Sequence, residues 1–137
     1  MTKETLVNGL NDDLNREVNT LIRYLFQASI LKGHVGREVR ELLEEDLTGE
    51  LKHAQFLADK IVNLGGTPSI SPESPPDISD WRGILQDGIK REWDAVAAYT
   101  ERIGQAEAAG EIGLKQVLEG FTQDETEHAE DMERFLG

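Results

Sequence analysis

The sequence predicts an all-α protein, a four-helix bundle in which two antiparallel helical hairpins are joined by one long crossover. Apolar residues recur at helical spacing in four long segments of the 137-residue chain. The one region rich in proline and glycine lies between the second and third segments. Because 38% of the residues are hydrophobic, a chain of this length supports one core, and we expect a single domain over residues 1–137.

The first hairpin is predicted from two amphipathic segments that each end at a pair of glycines. Helix one runs from about residue 4 to 32 and ends at Gly33 and Gly36, and helix two runs from about 37 to 64 and ends at Gly65-Gly66. The predicted inward stripe of helix one consists of Leu10, Leu14, Val18, Leu21, Leu25 and Ile30. That of helix two consists of Leu43, Leu47, Leu57, Ile61 and Leu64.

The second hairpin follows an extended crossover over about residues 65–79, where four prolines rule out helix or central strand. Ser79 is the predicted cap of helix three, which runs from about 80 to 109 and ends at Gly110. Helix four is predicted from about 111 to 136. Short links make each pair of helices antiparallel, whereas about a dozen extended residues can travel the length of a bundle.

The most informative motif is a glutamate followed three residues later by a histidine, and it occurs twice. The two copies are Glu50 with His53 and Glu125 with His128, in a chain with three histidines. A further glutamate precedes each copy, Glu17 before Glu50 and Glu92 before Glu125. The interval is 33 residues in both cases. Residues three apart on a helix lie about 60° apart in projection, so each pair can direct its side chains at one point.

The helical stripes place these four glutamates in one core, where unpaired carboxylates are very rare. Four clustered negative charges repel each other, and two divalent cations cancel the formal charge of −4. We therefore predict a site for two metal ions. The alternative is that a glutamate and a histidine stand three residues apart by chance on the surface of an acidic helical protein. Chance explains a single pair better than it explains two pairs with the same spacing to a preceding glutamate.

The composition limits the chemistry of such a site. The chain contains no cysteine, so oxygen and nitrogen must hold the metal, which favours iron, manganese or zinc. A net charge of −13 without a basic cluster argues against a nucleic-acid partner. No apolar run is long enough to cross a membrane and the first residues lack an export signal, so a cytoplasmic protein is expected.

Several other polar and aromatic residues are weighed against ordinary structural roles. Tyr24 and Tyr99 each follow a site glutamate by seven residues, and core packing and a role beside the metals are equally compatible with that position. His34 is expected on the surface, and Trp81 and Trp93 in packing or a subunit interface. The glutamates off the stripes are expected to face solvent: Glu44, Glu45, Glu127, Glu130 and Glu133.

The chain resembles the ferritin-like di-iron carboxylate proteins, and most closely the bacterioferritins, from Glu17 to His128. One glutamate on each of helices one and three, with Glu-x-x-His on helices two and four, is the pattern of that superfamily. The resemblance implies that Glu50 and Glu125 bridge two irons, which are completed by these pairs: Glu17 with His53, and Glu92 with His128. Asp124 is similar to an aspartate that steadies a ligand histidine, but its counterpart is Gly49, so one histidine is held less firmly.

Three departures narrow the resemblance. Leu51 occupies the position of the haem-binding methionine, so no haem is expected. The chain stops at Gly137, without the fifth helix of cage-forming relatives, so a cage is not implied. Rubrerythrins carry a further glutamate three residues after the helix-three ligand, and Ala95 occupies that position here. DNA-protecting mini-ferritins build their site between subunits, whereas this chain carries the complete ligand set itself.

The resemblance implies a ferroxidase that oxidises Fe(II) to Fe(III) with O2 or peroxide, in iron storage, handling or detoxification. Two irons per chain and a homo-oligomer, at least a dimer, follow from the same resemblance. Two alternatives remain at this level. One is a di-iron or di-manganese peroxidase or oxidase without storage, and the other is a non-enzymatic helical bundle that serves as an interaction module.

Overall fold

Four long helices make up the computed structural model, which describes residues 2–137. They are α1 (Lys3–Ile30), α2 (Gly33–Asn63), α3 (Trp81–Ala108) and α4 (Ile112–Leu136). No strand occurs in the described residues, and the predicted all-α bundle of two hairpins and a crossover is confirmed. None of these four helices carries an apolar stretch long enough to cross a membrane.

The link between α1 and α2 is shorter than predicted. Only Leu31 and Lys32 separate the helices, and α2 begins at Gly33, whose φ of 79° lies in the left-handed region. Gly36 belongs to α2, where a Cβ atom would lie 3.4 Å from the backbone carbon of Leu31. The second glycine therefore permits close passage of the helix beside the link and does not form the turn itself.

The ends of the other helices follow the predicted glycines more closely. Gly65 after α2 and Gly110 after α3 adopt φ values of 86° and 76°, and their backbone N–H groups bond back to the preceding helix turn. At the start of α3, however, the cap is Asp80 and not Ser79. The Asp80 Oδ2 atom accepts the Gly83 N–H at 2.8 Å.

The hydrophobic core consists of two clusters, one toward each end of the bundle. One cluster contains Leu10 and Leu57, and the other contains Leu43 and Leu85. The predicted metal-site glutamates fall between these clusters along every helix; Glu17, for example, lies between Leu14 of the first cluster and Tyr24 of the second. The apolar clusters thus enclose a central polar layer.

Three residues of the predicted α1 stripe lie outside the two core clusters, and the first of them, Leu21, is only partly buried. Leu25 and Ile30 remain 50% and 45% exposed. The inward face at this end of α1 is set by Tyr24 and Ala28, both buried, and a residue one position along a helix is turned away by about 100°. The prediction was wrong here because several faces of α1 carry apolar residues.

The crossover is fixed to α1 by three asparagines spaced four residues apart, Asn11, Asn15 and Asn19, here called the asparagine ladder. Each side chain forms one donor and one acceptor bond with the extended backbone. Asn15, for example, donates to the Ser69 carbonyl at 3.1 Å and accepts the Ser71 N–H at 2.5 Å. Asn11 and Asn19 repeat the pattern two crossover residues earlier and later. The ladder satisfies backbone groups that have no strand partner.

Candidate metal centre

The six predicted site residues come together at the middle of the bundle. They form two overlapping groups in which one ligand atom of each residue lies within 4.8 Å of the others. The first group contains Glu17, Glu50, His53 and Glu125, and the second contains Glu50, Glu92, Glu125 and His128. Glu50 and Glu125 belong to both groups. The geometry therefore has two centres that share two carboxylates.

The two imidazoles direct the same ring nitrogen at these carboxylates. His53 Nδ1 lies 3.2 Å from Glu125 Oε1 and 3.8 Å from Glu17 Oε2. His128 Nδ1 lies 3.4 Å from Glu50 Oε1 and 3.7 Å from Glu92 Oε2. The three-residue interval on α2 and α4 produces this convergence, because residues i and i+3 project from neighbouring points on one helix face.

Every member of the six has a buried polar atom without a hydrogen-bond partner among the described residues. The orphaned atoms are Glu17 Oε2, both oxygens of Glu50, His53 Nδ1, Glu92 Oε2, Glu125 Oε1 and His128 Nδ1. Such groups are costly in a protein interior unless something compensates them. Their concentration at one point identifies the place where an ion would satisfy all six side chains.

The donor set fits a borderline transition metal. Four carboxylates and two imidazoles offer mixed oxygen and nitrogen donors, which suit iron, manganese and zinc. Two divalent cations would also offset the formal charge of −4 that the four carboxylates carry when ionised.

Protonation in the absence of metal reflects the same crowding. Burial, together with the charge of Glu50, raises the pKa of Glu125 well above its usual range. Burial also raises the pKa of Glu50. For His128 burial alone would lower the pKa, but the nearby carboxylates of Glu50, Glu92 and Asp46 raise it to about 11. In the metal-free chain, bound protons therefore neutralise part of the carboxylate charge that divalent cations would otherwise offset.

Two tyrosines hold the glutamates of α1 and α3 from opposite helices. Tyr24 Oη on α1 donates to Glu92 Oε1 on α3 at 2.7 Å, and Tyr99 Oη on α3 donates to Glu17 Oε1 on α1. Both tyrosines are fully buried. They combine the two roles weighed from the sequence, because their rings pack in the core and their hydroxyls orient site carboxylates.

The surroundings of the two histidines are unequal. His53 Nε2 lies 2.9 Å from Asp124 Oδ2, as the resemblance implied, and its ring stacks on Phe121 with a centroid distance of 3.9 Å. The nearest carboxylate to His128 Nε2 is Asp46 Oδ1, at 3.5 Å. The His53 side chain is 3% exposed, whereas that of His128 is 16% exposed.

Access to the site is also one-sided. A cavity of about 560 Å³ opens between α2 and α4, and its lining includes Gly49, Lys52, Asp124 and both site histidines. On the α1 and α3 side, the two tyrosines close the site, and the guanidinium of Arg16 covers the Tyr99 ring at 4.7 Å. An ion or small oxidant would therefore reach the centre from the α2 and α4 side.

The remaining sequence predictions are largely met. His34 is exposed, although it lies in the first turn of α2 and not in a loop. Trp81 packs edge to face on Phe135, whereas Trp93 is 37% exposed and donates to Glu133. The glutamates predicted to face solvent are all exposed: Glu44, Glu45, Glu127, Glu130 and Glu133.

Sequence reasoning missed two buried acidic residues near the site. Asp13 forms an ion pair with Arg102 of α3 at 2.8 Å. Asp46, one helical turn before Glu50, lies beside His128. The turn-by-turn spacing of Asp46 before Glu50 was a usable signal, because residues four apart share a helix face.

Comparisons with known proteins agree with this geometry. A family model described as a ferritin-like domain matches residues 7–137. Among characterised sequences, the chain is 26% identical over 132 residues to a bacterioferritin of Brucella melitensis, covering 96% of this chain and 82% of that protein. It is 25% identical over 130 residues to a bacterial ferritin of Paramagnetospirillum magnetotacticum, covering 90% of this chain and 79% of that protein.

Solved structures are similar along the whole chain. A ferritin-like di-iron carboxylate protein from Bacillus anthracis superposes with a TM-score of 0.94 at 32% identity, with complete coverage of both chains. A dodecameric thioferritin from Bacteroides fragilis superposes with a TM-score of 0.91 at 23% identity, covering 99% of this chain and 86% of that one. The second likeness concerns the fold alone.

Proposed function

Since the chain belongs to the family of ferritin-like domains, we propose that it is a di-iron ferroxidase that oxidises Fe(II) to Fe(III) with O2 or peroxide. Its role would lie in iron handling, storage or detoxification. The proposed ligands are the six site residues, with Glu50 and Glu125 shared by the two irons. The location is proposed to be cytoplasmic.

One observation carries the proposal, namely that all six side chains present an unpaired buried atom to a common centre. A purely structural bundle gains nothing from four buried carboxylates, which would be replaced favourably by apolar residues. A metal site gives each of these atoms a partner. The site therefore supports metal binding more strongly than an interaction module.

Each part of the chain has a defined task in the proposed reaction. The tyrosines on the α1 and α3 side hold Glu17 and Glu92 in fixed positions and keep water from that face. The two histidines present Nδ1 toward the centre. Lys52 and Asp124 line the opening through which Fe(II) and the oxidant would arrive.

A pair of irons allows one oxidant to take two electrons in one event. With O2 as acceptor, two Fe(II) ions each give up one electron, and O2 with two protons becomes hydrogen peroxide. With hydrogen peroxide as acceptor, the same two electrons and two protons yield two water molecules. The paired release of electrons avoids the one-electron oxygen radicals that an isolated iron generates.

Anaerobic titration with Fe(II), followed by rapid mixing with O2 or peroxide, tests the proposal. We expect saturation at about two irons per chain and fast formation of Fe(III). Glu50→Ala and His128→Ala should lose most of the oxidation rate, since each removes a proposed ligand. Exposed residues on α2 supply matched controls, Glu44→Ala and His34→Ala, which should oxidise Fe(II) like the unaltered chain.

Saturation far below two irons per chain would contradict the proposal. Equal oxidation rates in the ligand variants and the exposed controls would do so too. Metal analysis of protein purified without added metal would distinguish iron from manganese, and comparison of turnover with O2 and peroxide would distinguish a ferroxidase from a peroxidase.

We also propose that the chain forms a homo-oligomer, at least a dimer. Leu25, Phe26 and Leu51 leave half or more of their surface exposed in the isolated chain. All three lie on the first hairpin, where a second copy of the chain would cover them. Light scattering on the native protein would show the number of chains, and a monomer at micromolar concentration would refute this part.

A further inference from the structure

The two halves of the site are related by a sequence repeat that is broken at one position. Asp124 directly precedes Glu125 on α4, and its carboxylate binds Nε2 of His53 on α2 at 2.9 Å. The corresponding residue on α2, directly before Glu50, is Gly49. A Cβ atom built at Gly49 would lie 3.7 Å from His128 Nε2 and 3.5 Å from its Cε1. Position 49 therefore faces His128, which has no counterpart of Asp124 directly before Glu50.

A different carboxylate approaches the same ring nitrogen. Asp46 Oδ1 lies 3.5 Å from His128 Nε2, and the Asp46 side chain is only 7% exposed. The Asp46 carboxylate forms no hydrogen bond within residues 2–137, and its ion-pair contact there is with His128. We propose that Asp46 is the positioning residue for His128, in the role that the glycine at position 49 leaves vacant. This inference rests on the metal site of the proposed function.

The physical effect of Asp46 would act through the imidazole tautomer. A carboxylate at Nε2 keeps the proton on that nitrogen, which leaves the lone pair of Nδ1 available to a metal. The contact is longer than the 2.9 Å of Asp124 to His53, and 3.5 Å lies beyond a well-formed hydrogen bond. The His128 half of the site therefore holds its metal less firmly than the His53 half.

The asymmetry also follows from the shape of the opening. Gly49 and His128 both line the cavity between α2 and α4, and His128 is the more exposed of the two histidines. A side chain at position 49 would occupy space in front of His128. The missing side chain thus weakens the support of one histidine and leaves its metal position accessible.

Titration with Co(II), monitored by its visible absorption, tests the assignment without reference to iron oxidation. The unaltered chain should bind two Co(II), one more weakly. In Asp46→Ala we expect the weaker affinity to fall by about 10-fold to 100-fold while the stronger is retained. Asp46→Asn keeps an acceptor oxygen and should lose less. Asp124→Ala is the matched variant of the other half and should weaken the stronger site.

A second substitution converts the repeat into a rescue experiment. The distances at position 49 are ordinary contacts, so an aspartate fits there and its carboxylate can reach His128 Nε2. Gly49→Asp in the Asp46→Ala background should restore the weaker affinity.

Equal Co(II) affinities in the unaltered chain and Asp46→Ala would overturn the assignment, as would failure of Gly49→Asp to restore the weaker affinity in the Asp46→Ala background. Should Asp46→Ala fail to fold, a smaller but selective loss in Asp46→Asn supports the assignment, and no loss there overturns it. Failure of the proposed function is separable from these results. A chain that binds two Co(II) yet does not oxidise Fe(II) refutes the ferroxidase and leaves the role of Asp46 intact.

Discussion

Tyr24 donates its hydroxyl hydrogen to Glu92 across 2.7 Å, although the two residues lie 68 positions apart and on different hairpins. Tyr99 and Glu17 form the reciprocal pair. The sequence repeat places each tyrosine two turns beyond a glutamate of its own helix, but the hydrogen bond runs to the glutamate of the other helix. The first and third helices are thereby tied together through the candidate ligands themselves.

Tyr24→Phe should weaken metal binding while preserving the fold. The substitution keeps the buried ring and removes the donor that orients Glu92, so we expect about a 10-fold loss of Co(II) affinity. The metal-free chain should lose about 1 kcal/mol of unfolding free energy, because one buried hydrogen bond is removed. Co(II) titration and urea denaturation measure the two effects. Affinity within twofold of the unaltered value would show that the hydroxyl does not position the ligand.

Glu50→Leu should separate stability from function. In the metal-free chain this change removes a fully buried carboxylate that repels Glu92 and Glu125, but it also removes a carboxylate that pairs with His128, so the two effects oppose each other and we expect little change in melting temperature. The same variant should lose the rise in melting temperature that metal gives the unaltered chain. Thermal denaturation with and without Co(II) measures both. Glu44→Leu, on the exposed face of α2, should keep the rise in melting temperature with Co(II). If Glu44→Leu also lost that rise, the loss in Glu50→Leu would reflect the removal of charge in general.

The metal-free chain should lose stability as the pH rises. Burial raises the pKa of Asp46 from 3.8 to about 7, and the carboxylates around His128 outweigh burial and raise its pKa from 6.5 to about 11. Since both folded-state pKa values exceed the unfolded ones, their stabilisation is complete at low pH. It is lost between pH 3.8 and about 7 for Asp46, and between pH 6.5 and about 11 for His128.

Bound metal should reverse this trend, because the ligands must release their protons to bind it. The difference in melting temperature between metal-loaded and metal-free protein should therefore widen from pH 5.5 to pH 8.5. Asp46→Asn should flatten the slope of the metal-free protein below pH 7. A metal-induced shift that shrinks with rising pH would contradict the linkage between protons and metal.

Asn15→Ala should destabilise the chain without affecting the metal site. The substitution leaves the Ser69 carbonyl and the Ser71 N–H without their side-chain partner. Because the crossover is near solvent, water recovers part of the loss, and we expect about 1–2 kcal/mol in urea denaturation. Asn8→Ala, an exposed asparagine of the same helix, should change stability by less than about 0.5 kcal/mol. Equal effects of the two substitutions would deny the asparagine ladder a role in stability.

The sequence carried enough information for the bundle and the convergence of the six side chains. Helix periodicity fixes which face Glu50 and His53 share, and the repeated 33-residue interval relates the two halves. The exposure of Leu25 could not be predicted, because apolar residues on several faces of α1 leave the inward direction open. That direction is set by packing against the other helices.

The residues that contact and orient the candidate ligands were less predictable from the sequence than the candidate ligands themselves. Asp124 follows from the resemblance, whereas the four-residue spacing of Asp46 before Glu50 indicates only a shared helix face, and the contact of Asp46 with His128 depends on how closely α2 and α4 approach. The asparagine ladder has regular spacing on α1, whereas its partner is backbone without any side-chain pattern. Spacing along one helix shows which side chains share a face, but the contacts that they form depend on the segment packed against that face.

The asparagine ladder also limits insertions and deletions in the crossover. Four residues of helix advance about 6 Å and two residues of extended chain advance about 6.6 Å, so successive rungs stay in phase. Inserting or deleting one residue between Thr67 and Glu73 would present the wrong backbone edge to every following rung. The rungs contact only main-chain atoms there, so the side chains of this stretch can change while its length is held constant, except that proline at position 69, 71 or 73 would remove an N–H that a rung accepts.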